Sequence, residues 1–244
     1  VIPAAYWDWL QWFADFYYIS QAPALLAALP AWLKRQTSSS VNLPLQPNST
    51  KSLLRLSPAR VQVVQAVVAD LHQQVQPTTV LYQGSQDCVA IMHGLLQQPS
   101  GSVVLICPET DDVERWRGWL TKFKPVVVEA KRASTVRAAW SLLLQASPSL
   151  IIGTKRLALL PLTQASRICV LDPEHSAHKQ WEMNPRYHVW RVVGEHSRLG
   201  QVPLTCFSQA PRLEQVQTNQ ILTSLLQPTA MARLTTIIQT PGAY

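Results

Sequence analysis

Close cysteine pairs are missing from this chain. Its four cysteines, Cys88, Cys107, Cys169 and Cys206, include no CxxC spacing, which excludes a zinc ribbon and a small-domain disulfide framework. Three of them, Cys107, Cys169 and Cys206, fall inside or at the end of apolar, strand-like runs, so buried free thiols in a reducing compartment are expected. Glycine is scarce, with 8 in 244 residues, few for a chain built around glycine-rich loops. Acidic charge is in deficit: 14 Asp and Glu stand against 21 Lys and Arg, a formal +7. That balance suits a polyanionic partner such as nucleic acid, through phosphate neutralisation and counterion release, and equally a merely basic surface. The apolar stretch from Val1 to Leu33 is not a clean membrane span, because Asp8, Gln11 and Asp15 interrupt it and no basic stretch precedes it. A soluble helix and no membrane partner are expected there. Because the chain starts at Val rather than Met, a processed product or a fragment is expected. No G-x-S-x-G or H-E-x-x-H motif occurs, so hydrolase chemistry has no support, and no repeat of solenoid period is present.

What the chain does have is core-forming material, at 47% hydrophobic and 14% charged residues, enough for one large globular domain plus an appendage. Ala5, Trp9, Trp12, Phe13, Phe16 and Tyr17 recur at helical spacing between Ala4 and Ser20, predicting an amphipathic helix with an aromatic face. Such a stripe can stack on bases, but it more often builds a core. A second helix is expected from Pro23 to Arg35, bent near Pro30. Residues 36–54 are rich in Ser, Thr, Asn and Pro without a sustained period, which marks a linker. Ser57-Pro58 then reads as an N-cap and first helical residue, followed by a stripe of Val61, Val64, Val68 and Leu71.

From there short apolar runs alternate with helical patterns. Strands are predicted at Thr79–Tyr82, Val103–Cys107, Val126–Glu129, Leu150–Ile152, Ile168–Leu171 and Leu204–Phe207. Helices are predicted at Asp87–Gln97, Asp111–Thr121, Ser134–Gln145 and Arg186–His196. This alternation specifies the α/β class with a parallel, doubly wound sheet, whose ligands bind at the carboxyl ends of the strands. Helical patterns also run over Val216–Leu226 and, more weakly, Met231–Ile238. The expected organisation is a helical segment at 1–35, a linker at 36–54, a lobe at 55–216 and a helical extension at 217–244.

Four segments carry a family resemblance. SLIIGTKRLALLPLTQASRICVLDPEHSAHKQWEMNPRYHVWRVV, at 149–193, resembles a strand ending in G-T-R-S-A, a strand ending in D-E-E-H, and then S-x-K-Q and R-Y-H-x-R elements. VVLICPET, at 103–110, is similar to a strand ending in V-P-E, and CFSQAPRLEQV, at 206–216, occupies the place of G-S-A-T-P-S-L-E. YWDWLQWFADFYYISQAPALLAALP, at 6–30, resembles W-x-A-x-Y-Y-x-x-P-x-x-x-x-L-x-x-A-L-P. In this order these are features of the primosomal protein N′ (PriA) replication-restart helicases, a family within superfamily 2 of the DNA helicases. The resemblance implies a RecA-like, P-loop NTPase-type first helicase lobe, preceded by the end of an N-terminal DNA-binding domain. The family's winged helix, second motor lobe and cysteine-rich zinc module have no counterpart here.

The family is an ATP-dependent enzyme, and this sequence departs from it at the residues that hydrolysis needs. A phosphate loop requires glycines whose N–H groups cradle phosphate, a lysine and a hydroxyl for magnesium. Here LYQGSQDC, at 81–88, keeps Gly84 and Ser85, lacks the lysine, is shorter, and sets Asp87 at a helix N-terminus where an anion should sit. In the Walker B-like remnant, Asp172, Glu174 and His175 match the family, but Pro173 replaces the glutamate that activates water, and proline offers no carboxylate. ATP and magnesium, cofactors of the family, are therefore expected not to be used. Asp172, Glu174, His175 and His178 are all metal-ligand types, yet an inherited strand-end motif without metal is the simpler reading.

The resemblance leaves DNA contact as the function to retain. Lys155 and Arg156 follow Gly153-Thr154 at a strand's carboxyl end, where the family touches DNA backbone, and Lys179, Arg186 and Arg191 extend the basic surface. Arg115, Arg117, Lys122 and Lys124, interleaved with Trp116 and Trp119, form another basic cluster; each cluster is equally readable as a solvated helix face. Three readings follow. One is a catalytically inert relative that binds forked or single-stranded DNA, alongside other restart proteins, in the cytoplasm at the nucleoid. Another is an active helicase lobe working with a partner chain, and the last is a structural or protein-interaction remnant.

Overall fold

The structure is a computed structural model that describes residues 2–28, 56–97, 99–129, 132–182 and 184–222. Strands β1 (Thr78–Leu81), β2 (Ser102–Ile106), β3 (Val126–Val128), β4 (Ser149–Gly153), β5 (Arg167–Leu171), β6 (Leu204–Ser208) and β7 (Gln220–Leu222) form one sheet in the order β3-β4-β2-β5-β6-β1-β7. Every pairing is parallel. Helices α1 (Ala4–Phe16), α2 (Gln21–Ala28), α3 (Pro58–Gln73), α4 (Ser85–Leu95), α5 (Thr110–Trp119), α6 (Ala133–Leu144), α7 (Val189–Gly200) and α8 (Leu213–Thr218) complete the order of elements.

Residue alternation along the strands explains the layering. Val104, Ile106, Ile151, Ile168, Val170, Leu204 and Cys206 point into a core closed by α1, α2, α6 and α7. Val103, Leu105, Cys107, Leu150, Ile152, Cys169, Leu171 and Phe207 point into a second core closed by α3, α4 and α5. A period-2 strand buried on both faces reads as a continuous apolar run, and it produces the α/β, doubly wound parallel sheet that the alternation predicts. All four cysteines are buried and unbridged.

Helix α3 starts where Ser57-Pro58 indicates, the Ser57 hydroxyl accepting from Arg60 N–H. Its inward stripe is Val64, Val67 and Leu71, while Val61 is exposed. Val68 instead packs against Gly94 of α4, where a Cβ would come within 2.7 Å of a Val68 methyl; the glycine is what lets the two helices approach.

The aromatic stripe of α1 is core. Tyr6, Trp9 and Phe13 are buried, Trp9 stacking on Tyr6 at 5.3 Å, on Phe13 at 5.1 Å and on His196 of α7 at 4.1 Å between ring centres. The Tyr6 hydroxyl donates to Leu159 O at 2.7 Å and Trp9 Nε1 donates to Val192 O at 3.2 Å. The outer side of the helix carries Phe16, nearly half exposed.

Two elements differ from the pattern reading. The helix expected from Arg186 begins at Val189, because His188 is extended and its side chain caps the helix by accepting from Trp190 N–H. The helical pattern over Val216–Leu226 is broken: α8 ends at Thr218 and β7 follows, pairing with β1. Periodicity does not separate a short apolar strand from a buried helix segment, and here the unpaired edge of β1 decides, with Asn219 Nδ2 donating to Thr79 Oγ1 at 2.8 Å to anchor the turn. The expected linker, the end of the second helix beyond Ala28 and the pattern at Met231–Ile238 lie outside the described residues. Among those residues no helix is long and apolar enough to cross a membrane.

Candidate nucleic-acid interface at the carboxyl edge of the sheet

The carboxyl ends of β1, β5 and β6 meet at one edge, and the residues there are tied to one another. Three residues, Tyr82 to Gly84, join β1 to α4. Gly84 has an ordinary φ of −133° and nothing within 4 Å of the position a Cβ would take, so no close backbone approach depends on it. Ser85 and Gln86 are exposed, whereas Asp87 in the first turn of α4 is buried. Arg60 of α3 reaches across and grips that carboxylate with both arms, Nε to Oδ1 at 2.8 Å and NH2 to Oδ2 at 2.6 Å. A bidentate guanidinium–carboxylate pair is a strong, directional contact, and it raises the Arg60 pKa.

Beside it, Asp172 turns the chain out of β5 with φ at 43°, a left-handed conformation in which Asp is enriched among non-glycine residues. Its Oδ1 accepts from the Tyr82 hydroxyl at 2.8 Å, and Gln209 Nε2 donates to the same hydroxyl at 3.2 Å. Burial pushes the Asp172 carboxyl up to about 6, the Tyr82 hydrogen bond opposing it and Glu174 adding to it. Burial likewise pushes the Tyr82 phenol above its ordinary range. Glu174 Oε2 accepts from Ser208 Oγ at 2.9 Å, and its carbonyl accepts from Arg212. His175 sits outside, Nδ1 accepting from Ala177 N–H and Nε2 lying 4.0 Å from Glu109. His178 turns inward, fully buried, with Nε2 donating to Leu171 O at 2.8 Å.

These residues do not fit a magnesium nucleotide. The three-residue junction is too short to wrap a phosphate, the first turn of α4 carries a carboxylate already neutralised by Arg60, and Pro173 offers no base. Among the described residues no three His, Cys, Asp or Glu side chains stand together as a metal would require.

The basic residues behave differently. Lys155 and Arg156 open a short 3-10 helix, Lys155–Leu159, directly after Thr154 at the end of β4. Lys155 Nζ donates to Lys179 O at 3.4 Å, and the Tyr187 hydroxyl donates to Lys155 O at 3.1 Å. Lys179 Nζ in turn lies 3.8 Å from the ring centre of Trp181, which is 55% exposed. The structure thus links Lys155 to Lys179, whose ammonium lies over an exposed indole that the residue pattern does not single out beyond a tryptophan inside a polar loop, while Arg156 lines a cavity with Lys155. Arg186 is exposed in the following loop. Arg191 belongs elsewhere, on α7, lining a groove shared with Trp12, Phe16 and Trp190. On α5, Arg115 pairs with Asp112 and Arg117 with Glu114, each at i,i+3, while Trp116 is buried; those two arginines belong to a salt-bridged helix face.

No family model matches the chain. A stretch of 76 residues, 31% of this chain, is 36% identical to Replication restart protein PriA of Synechocystis sp., of which it covers 9%. A crystal structure of a hypothetical ATP-dependent RNA helicase from Sulfolobus tokodaii superposes with a TM-score of 0.43 at 13% identity, over 68% of this chain and 57% of that one. The chain therefore spans a small part of the curated relative it matches.

Proposed function

We propose that this chain is a helicase-like lobe of replication-restart type that binds forked or single-stranded DNA without hydrolysing ATP. The observation that carries the reading is the contrast along one sheet edge. Where a motor would hold phosphate, Asp87 is bound by Arg60; a few strands away, Lys155 meets Lys179, whose ammonium lies over an exposed indole, and Arg156 lines a cavity beside Lys155. Cations beside an aromatic face suit a strand whose phosphates and bases are contacted together. The 76 residues similar to a replication-restart protein support DNA, and other restart proteins, as the partners, and the nucleoid as the place of action.

The test is fluorescence anisotropy of a labelled fork across a salt series, with and without ATP and magnesium. The expected result is binding that weakens steeply with salt and ignores ATP. Binding that responds to ATP would restore the motor reading, and the absence of any binding would leave an interaction module.

A further inference from the structure

We propose that the cavity between α2 and the carboxyl end of β4 takes one nucleotide unit, phosphate and base together, from a bound single strand. The inference rests on the DNA-binding reading and adds a specific subsite to it. The cavity measures about 580 Å³ and is walled on one side by Pro23, Leu26 and Ala27 of α2 and on the other by Lys155, Arg156 and Gln180. That volume falls within the range of small-ligand clefts, roughly 300–1,000 Å³.

Three features point to an anion carrying a planar, hydrogen-bonding body. Among the described residues no carboxylate lines the cavity, although two cations do. Among the described residues Arg156 is paired with no acid; its guanidinium lies in electrostatic reach of the buried Tyr6 and Tyr187 hydroxyls, whose upward shifts it opposes. Lys155 is held by a single long bond to a carbonyl, so its ammonium is available to swing onto a phosphate oxygen.

Gln180 supplies the second requirement. It is 7% exposed, its backbone N–H is committed to Tyr187 O at 2.8 Å, and the residue lines the cavity. Its side-chain donor and acceptor together match the mixed edge that every base presents. The apolar wall, with Leu26 57% exposed, offers a surface for the base's face. Inorganic phosphate would satisfy the cations and leave both the amide and the wall unused.

The experiment is a titration of the full chain with thymidine monophosphate, followed in amide NMR spectra at the Gln180 side chain, with inorganic phosphate and thymidine titrated separately. The expected result is a shift at Gln180 with affinity at least about tenfold above either half alone. Gln180→Leu should weaken the nucleotide about tenfold, and Ala27→Trp, which fills the cavity and leaves every charge in place, should abolish the shift. No movement at Gln180, or phosphate binding as tightly as the nucleotide, overturns the proposal. A labelled oligonucleotide separates the two readings. If it binds wild type and Ala27→Trp equally, the subsite falls and DNA binding stands. If thymidine monophosphate moves Gln180 in a protein that binds no oligonucleotide, the cavity holds a free nucleotide but no strand, and the DNA-binding reading falls.

Discussion

Arg60 and Asp87 meet through two hydrogen bonds of 2.8 and 2.6 Å, joining α3 to the first turn of α4. The side chain of Asp87 is 8% exposed, and that guanidinium is the counter-charge set against it. Arg60→Ala leaves a nearly buried carboxylate alone and is expected to destabilise the fold by about 2 kcal/mol, less than for a fully buried pair because Arg60 itself reaches solvent. Replacing both residues with Ala should recover part of that loss. Urea denaturation of the two single variants and the double variant gives the coupling; additive losses would mean that the pair does not clamp the two helices.

Acid should loosen this protein well above the usual carboxylate range. Burial lowers the pKa of His178 and His188 to about 4 and that of His196 to about 3, against about 6.5 in an unfolded chain. Between those values the unfolded chain binds protons that the folded chain excludes, so this contribution is complete above about pH 6.5 and is lost progressively as pH falls toward 4. Asp172 acts in the opposite sense: its folded value of about 6 means that the folded chain holds a proton that the unfolded one releases down to about pH 4. Three histidines outweigh one carboxyl, and the melting temperature is expected to fall between pH 7 and pH 5. His196→Gln should flatten the slope; a melting temperature that rises over this interval would contradict the burial of these rings.

Removing the Trp9 side chain tests whether α1 is integral to the lobe. Its indole is stacked on three rings and bonded to Val192 O, so Trp9→Ala should cost about 3–5 kcal/mol, the range for truncating a large buried aromatic. Trp7→Ala, on the outward side at 40% exposure, should change stability by no more than about 0.5 kcal/mol. Chemical denaturation of both variants checks the contrast.

On the basic edge, charge and stacking separate by salt dependence. Lys155→Ala and Arg156→Ala should each weaken binding of a single-stranded oligonucleotide and lower the slope of log affinity against log salt by about 1. Trp181→Ala should weaken binding about tenfold while leaving that slope unchanged. Equal slopes in all three variants would show that Lys155 and Arg156 touch no phosphate.

How much of this was legible follows from range. The Ser57 cap, the apolar strand runs and the aromatic stripe of α1 are local patterns, and each could be read from neighbouring residues. The strand β7 could not, because what makes Gln220–Leu222 extended is the open edge of β1, far away in sequence. The same holds for the site. Asp87 announces itself as a carboxylate at a helix N-terminus, but its partner Arg60 lies in a different helix and carries no signal of its own. Lys155, Arg156 and Lys179 were nameable one by one; that Trp181 shares their surface, and that Arg191 faces another groove, depends on how the chain runs from β5 into α7.

The position of β1 between β6 and β7 also bears on how the chain assembles as it is made. Thr78 pairs with Thr205, and Thr79 with both Cys206 and Ile221. These partners lie roughly 130 or more positions downstream, so at about 5–20 residues per second β1 leaves the ribosome on the order of ten seconds before a strand can pair with it. Until then the buried run Val80–Tyr82 lacks its neighbouring strands, and the first core to close is the one around β2, β4 and β5, whose partners arrive earlier. A chain released before β6 emerges carries an unpaired apolar strand, which makes early termination products of this protein a target for chaperones and proteases.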